Sequence, residues 1–240
     1  MRLVKAGIIL LVMFIGSNCC SAVSAAAPET GVTPESVIIL WTDGPRLKAV
    51  NLTFFPDNNG PLGIVSVPVY TCLPASEDAL TLQEFYRRYG REKLIAQLEN
   101  LFGSSIMAYI TIDQRTLCHL SRVIGSINMA GRETNLLDVF EGNYTDSPIN
   151  LQEEIRLLAG AMLTPRVIVK LPEMIWIFST QVDSNVTPRH LLAFYHMLRC
   201  RGPDVLQKKA VPGNDYVIGN RKYRYVAPGT WSKTLREVAS

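Results

Sequence analysis

SVIILW, residues 36–41, is an unbroken run of apolar residues after a single serine, with β-branched residues at its centre. A run this short and this apolar is a strand covered on both faces, not a helix with one wet side. AVNLTFF, residues 49–55, is a second strand, and PDNNG, residues 56–60, is a turn with Gly60 free to take positive φ. The stretch GIVSVPVYTCLP, residues 63–74, supplies the third. Ile64 to Val67 is the strand, and Pro68 ends it because proline cannot donate to a sheet ladder. Three strands joined by short loops therefore open the chain as a meander.

Beyond Pro74 the apolar period changes from two to 3.6. Leu80 to Tyr89 is read as a helix, and Glu92 to Phe102 as another, with Leu94, Leu98 and Leu101 on one face. Gly103 ends it. Ile106 to Ile112 is a strand, and Asp113 caps a helix that runs to Gly125. Residues 131–150 are polar and irregular. Leu151 to Leu163 is helical. A short helix from Pro165 reaches Pro172 and continues over Glu173 to Thr180. A further helix runs from Thr187 to Leu198, with Pro188 at its first position. The tail alternates from Val217 to Val226 about a Gly219-Asn220 hairpin turn. Strands mixed with helices in this order predict an α/β fold: one domain over residues 36–240, with a mixed central sheet flanked by helices on both faces.

The chain has 240 residues, 48% hydrophobic and 19% charged, with a net charge of +3. That suits one core of ordinary size. It carries no basic stripe interleaved with aromatics, so nucleic acid is not an expected partner. The basic clusters, Arg87-Arg88 with Arg91 and Arg221-Lys222 with Arg224, read first as solvated faces. Residues 1–27 form a targeting segment. Arg2 and Lys5 precede an apolar stretch from Ala6 to Gly16, and small residues follow through Ala27. It is either a cleaved signal peptide or an uncleaved membrane anchor, and both place the body of the protein outside the cytoplasmic membrane. Residues 28–35, with Pro28, Gly31 and Pro34, form a linker.

No phosphate-binding loop, nucleophile elbow or zinc spacing occurs. His119, His190 and His196 are scattered. Past the leader three cysteines remain, Cys72, Cys118 and Cys200. Three thiols cannot all pair, and buried thiols are the expected state. Asn51, Asn143 and Asn185 match the glycosylation sequon.

The order of segments nevertheless resembles one family. VIILWTDGPR (37–46) is similar to its opening strand and acidic loop. GIVSVPVYTCLP is similar to its Ser-Ile-Pro-Arg-Asp-Thr strand end. Residues 85–127, from FYRRYGREKL to SRVIGSI, follow its signature helix, strand and next helix. INLQEEIRLLAGAML, VIVKLPEMI and VDSNVTPRHLLAFYHML (149–198) resemble its second half, and VPGNDYVIGNRKYRYVAPGTW (211–231) its closing segment. This is the LytR-CpsA-Psr family of envelope proteins, and the resemblance spans about residues 36–235. It implies an extracytoplasmic, membrane-proximal phosphotransferase. Such a protein moves a glycopolymer from a polyprenyl-pyrophosphate carrier to the cell wall. Arginines grip the pyrophosphate, carboxylates hold Mg²⁺, and an apolar groove takes the lipid.

On that resemblance Asp43 matches the acidic loop position and is the candidate metal ligand. Arg46 lies beside a basic position, and Thr71 matches. The sequence departs elsewhere. Val69 stands for the motif arginine and Tyr70 for the aspartate after it. Leu47 stands for the second-strand aspartate, and Arg122 for the aspartate before a Gly-Gly that is here Gly125-Ser126. No arginine occurs between Arg132 and Arg156, and Glu141 falls near a family arginine. Losing one transition-state arginine costs on the order of 10³–10⁵ in rate. The expectation is a catalytically impaired relative that binds a polyprenyl-phosphate-linked or other envelope ligand, with Arg87, Arg88 and Arg91 as candidate ligand contacts. The alternatives are a divergent phosphotransferase using Asp43 and relocated arginines, or a non-enzymatic assembly protein of the envelope or spore surface.

Overall fold

The computed structural model describes residues 36–55, 61–74, 80–144, 150–186, 198 and 200–239. The targeting segment, the linker, the 56–60 turn and the Thr187–Leu198 helix, apart from Leu198, lie outside them.

β1 (Ser36–Asp43), β2 (Arg46–Phe54) and β3 (Leu62–Val67) form the expected antiparallel meander. After them comes α1 (Leu82–Phe102), then β4 (Ala108–Asp113), which lies parallel to β1, and α2 (Gln114–Ile124). A small hairpin, β5 (Ser126–Met129) and β6 (Arg132–Asn135), leads to α3 (Leu136–Glu141). α4 (Leu151–Met162), α5 (Pro165–Ile168) and α6 (Leu171–Gln181) precede β7 (Asp183–Ser184). β8 (Leu206–Ala210) lies parallel to β3. A separate hairpin, β9 (Asn214–Ile218) and β10 (Arg221–Tyr225), and α7 (Pro228–Ala239) complete the chain. The main sheet is six-stranded and mixed, in the order β7-β4-β1-β2-β3-β8. This is the predicted single-domain α/β architecture.

β1 is apolar from Val37 to Trp41 because both of its faces are covered there. Val37, Ile39 and Trp41 face a core closed by α2, α4 and α6, where Leu117, Leu158 and Ile177 are buried. Ile38 and Leu40 face a second core, closed by Leu94, Leu98 and Phe102 of α1 and by Trp231 and Val238 of α7. α7 rests directly on the β3 backbone: a Cβ on Gly63 would lie 2.5 Å from the Val238 carbonyl oxygen.

Several local expectations are corrected. The two helices expected over Leu80–Tyr89 and Glu92–Phe102 join end to end, and the break between them is Gly90, at φ 80° and ψ −176°. The region 131–150 is not irregular over its first half, which holds β6 and α3. The β5–β6 turn places both Ala130 (φ 55°) and Gly131 (φ 82°) at positive φ. A two-residue turn of that kind is usually announced by Asn-Gly or Asp-Gly, not by alanine. The strand expected from Ile106 starts at Ala108. The Pro165 helix stops at Ile168, and Pro172 opens α6 as a first-turn proline instead of continuing it. β8 and α7 were not expected at all.

Candidate functional site

The site begins where β3 ends. After Pro68 the chain turns back on itself, and the Thr71 N–H donates to the Pro68 carbonyl at 2.9 Å. The turn is sewn to the start of α1, because Leu82 N–H donates to Thr71 O (2.9 Å) and Gln83 N–H to Val69 O (3.0 Å). α1 itself starts on a capping box. The Thr81 hydroxyl accepts the Glu84 N–H at 3.3 Å, and Glu84 Oε2 accepts the Thr81 N–H at 3.0 Å. β10 is stitched to the same turn, with Arg224 N–H on Tyr70 O (3.0 Å) and Cys72 N–H on Arg224 O (2.9 Å).

These attachments bring the β1–β2 turn, the Pro68 turn, the first turns of α1 and the β10 strand together around a cavity of about 520 Å³. Its walls carry four cations: Arg46, Arg87, Arg221 and Lys222. Val69, Tyr70 and Tyr223 supply apolar and aromatic wall, and Glu84 is the carboxylate. Arg221 reaches Glu84 Oε1 at 3.3 Å, an exposed pair worth little to stability. Lys222 sits 4.6 Å from the Tyr70 ring centroid and 2.8 Å from Asp215. Arg224 holds the same carboxylate bidentately at 2.5 and 3.0 Å. Arg224 first, with Lys222 in support, holds the Asp215 carboxyl well below the usual range, and the bonds to Asp215 and Tyr70 push Lys222 up. Neither Arg46 nor Arg87 forms a salt bridge among the described residues. Arg46 and Arg87 thus line the cavity with no ion pair among the described residues, which suits an anion.

The structure separates the three α1 arginines. Arg87 lines the cavity. Arg88 is exposed, its guanidinium 5.3 Å from the Tyr89 ring. Arg91 pairs with Asp183 and lies 3.7 Å from the Tyr109 ring, toward the opposite sheet edge. Helical spacing would put 87 and 91 on one face, but the Gly90 break rotates the second segment away. Val69, at the position of the motif arginine, is 3% exposed and belongs to the core, while Tyr70 turns its ring to Lys222 and Arg224. Arg221 and Lys222 stand in the cavity wall. The sequence signal for them is a basic pair beside a glycine-asparagine turn, and the backbone bonds of Arg224 with Tyr70 and Cys72 place that pair at the Pro68 turn.

Thr71 is fully buried behind the turn, its hydroxyl without a hydrogen-bond partner, and does not line the cavity. Asp43 is exposed at the β1–β2 turn opposite Arg46, with Lys48 Nζ 4.0 Å from its carboxylate. No group of three or more His, Cys, Asp or Glu stands together among the described residues. Mg²⁺ wants one or two carboxylates in octahedral geometry. Asp43 does not line the cavity and lies 4.0 Å from the Lys48 ammonium, and Glu84 is engaged by Thr81 and Arg221, so among the described residues no uncommitted carboxylate lines the cavity to hold that ion. Glu141 instead accepts from Gln114 Nε2 at 3.2 Å, and Gln114 accepts from Trp41 Nε1 at 3.0 Å. Asn51 is buried with its carbonyl oxygen bonded by the Ser66 hydroxyl at 2.5 Å, so its sequon is closed to a glycan. The thiols are less buried than expected: Cys72 and Cys118 are half-buried and Cys200 is exposed. His119 is half-buried against Gln181, and His190 and His196 lie outside the described residues.

Glu84 ties the site to acid stability. The Thr81 N–H holds its carboxyl below the ordinary value. The Thr81 hydroxyl, Arg221 and Arg87 act in the same direction, and partial burial acts against them. A carboxylate with a depressed folded pKa contributes stability that is present above its unfolded pKa and is lost as pH falls through the folded one. Glu84→Gln keeps the capping box and removes the charge. It should lower stability at pH 7 by about 0.3–1 kcal/mol, and the gap should close as the pH falls below about 4. Urea unfolding at pH 7 and pH 3 checks this; a gap unchanged at pH 3 would contradict the assignment.

No family model matches the chain, and no curated protein matches it in sequence. Solved structures do. TagV of Bacillus subtilis superposes with a TM-score of 0.64 at 14% identity, over 87% of this chain and 97% of that one. A Eubacterium siraeum protein described as a transcription regulator gives 0.64 at 12% identity, over 92% and 98%. The B. subtilis transcriptional regulator yvhJ gives 0.62 at 17%, over 87% and 96%. At this level of identity the likeness is one of fold: the chain has the mixed-sheet architecture of TagV and its structural neighbours.

Proposed function

We propose that this protein is an extracytoplasmic envelope protein that binds a polyprenyl-phosphate-linked ligand in the cation cavity, without the transfer reaction of the family it resembles. TagV, which shares the fold, is a LytR-CpsA-Psr protein, and that is the envelope link behind the reading. One observation carries the ligand class. Arg46, Arg87, Arg221 and Lys222, from three separate segments, meet at the Pro68 turn, where the resemblance expects a pyrophosphate-gripping arginine. The motif arginine is gone, yet positive charge is supplied to the same strand end from elsewhere. Tyr70, Tyr223 and Val69 give the apolar wall that an isoprenyl tail needs close to its headgroup.

The same geometry argues for binding over transfer. Group transfer needs a base or a metal carboxylate facing the phosphate. Glu84 is committed to Thr81 and Arg221, and Asp43 is shared with Lys48. Calorimetric titration with a short-chain isoprenyl pyrophosphate, with and without Mg²⁺, tests the reading. One-to-one binding of similar affinity in both conditions is expected, with no glycan transferred to a peptidoglycan acceptor. No heat in either condition would overturn the ligand assignment, and acceptor-dependent transfer would overturn the claim of binding alone.

A further inference from the structure

We infer that the β9–β10 hairpin is a membrane-contacting element whose tip aliphatics enter an anionic lipid surface while the cations paired with them take the headgroups. The whole of β9 is exposed. Val217 and Ile218, at the turn, are 67% and 64% exposed, and Tyr225 is 53% exposed. Pairing places Ile218 opposite Arg221, Tyr216 opposite Tyr223 and Asn214 opposite Tyr225 on one face. The Tyr216 and Tyr223 rings stack at 5.6 Å and 15°. Isolated exposed apolar residues are ordinary, but here two aliphatics and three tyrosines share one projecting ribbon.

The side chains along the ribbon select the occupant. Ile218 and Val217 flank the turn, level with Arg221 and Lys222 on the facing strand, and the tyrosines lie behind them. Aliphatics beside long cationic side chains that reach headgroup phosphates, with tyrosines behind, are the side chains of an interfacial contact. Charge selects the lipid. Around the hairpin and its cavity Arg46, Arg87, Arg221, Lys222 and Arg224 stand against Asp43, Glu84 and Asp215 among the described residues. Five cations against three carboxylates favour an anionic surface over a neutral one. Two aliphatics give a weak, reversible contact, suited to orienting a protein held near the membrane by other means. Among the described residues no helix is long and apolar enough to cross a membrane. Because Arg221 and Lys222 also line the cavity, tip insertion would set the cavity mouth at headgroup level.

The inference stands on the hairpin and not on the ligand reading, and the two fail separately: vesicle contact is measured without isoprenyl ligand, and ligand binding without vesicles. The test uses the full chain carrying Val217→Trp, in vesicles with brominated acyl chains, and the wild-type fluorescence of Trp41, Trp176 and Trp231 is subtracted. The added tryptophan should be quenched in vesicles containing phosphatidylglycerol and much less in phosphatidylcholine alone. Adding Arg221→Ser and Lys222→Ser should lower tip partition by roughly tenfold or more. A tip that stays unquenched in the anionic vesicles, whether left in water or covered by a second copy, overturns the inference. So does quenching that ignores both lipid charge and the paired serine changes.

Discussion

Alanine at both Arg46 and Arg87 should weaken binding of a short isoprenyl pyrophosphate by about 10²–10⁴-fold. These are the two cavity guanidiniums without a salt-bridge partner among the described residues. Their charge is therefore available to a ligand, whereas Arg221 and Lys222 are partly answered by Glu84 and Asp215. Each charge-assisted hydrogen bond is worth about 1.5–3 kcal/mol, and about 1.4 kcal/mol is tenfold in affinity. Both side chains are exposed, so the double variant should keep its stability to within about 0.5 kcal/mol. Arg88→Ala is the matched control. It removes the same charge from the same helix outside the cavity and should leave affinity within a few-fold of wild type. Calorimetry on the single, double and control variants separates a local grip from general attraction. Equal losses from Arg87→Ala and Arg88→Ala would point to attraction by net charge alone.

Trp231→Ala should cost about 3–5 kcal/mol of folding stability, the range for truncating a fully buried large aromatic. Trp231 is 0% exposed and meets Phe102 of α1 edge to face at 5.3 Å. It is the side chain through which α7 holds α1 over the second core. Its indole N–H has no hydrogen-bond partner, so truncation leaves no orphaned acceptor and the cost is one of packing and cavity. For a domain of this size the midpoint of thermal unfolding should fall by roughly 6–20 °C. Urea denaturation of wild type and variant measures it; a loss under about 1 kcal/mol would mean that α7 is not part of the cooperative core.

The central sheet was legible because its signals are local. SVIILW is apolar on every residue after its serine, and only a strand with both faces covered wants that. Asp113 and Gly103 mark helix ends by chemistry that acts within one turn, and both caps are as read. β8 was not legible: LQKKA is polar, and it becomes a strand by pairing with β3 at the sheet edge while the Lys208 N–H donates to Gln152 Oε1 at 2.7 Å. Those partners are far off in sequence. α7 is different, since Trp231, Leu235 and Val238 are spaced for one helical face and the signal was present. For the site, the sequence announced an absence, valine and tyrosine where the family resemblance expects an arginine and an aspartate. It could not announce the substitution in space. Arg221 and Lys222 come from about 150 residues away, through a hairpin whose attachment is made by backbone hydrogen bonds that leave no mark on side-chain identity.

β1 carries the chain from one end of the sheet to the other, with Ser36 at the far end and Asp43 beside the cavity turn. Its eight residues cover about 26 Å. Residues 28–35, drawn out fully, reach at most about 29 Å. The two spans are thus nearly equal. If residues 1–27 stay in a bilayer, the cavity end meets that bilayer only with the tether close to taut or with the sheet lying along the surface. Removing four residues from 28–35 would forbid the upright arrangement and leave only the recumbent one.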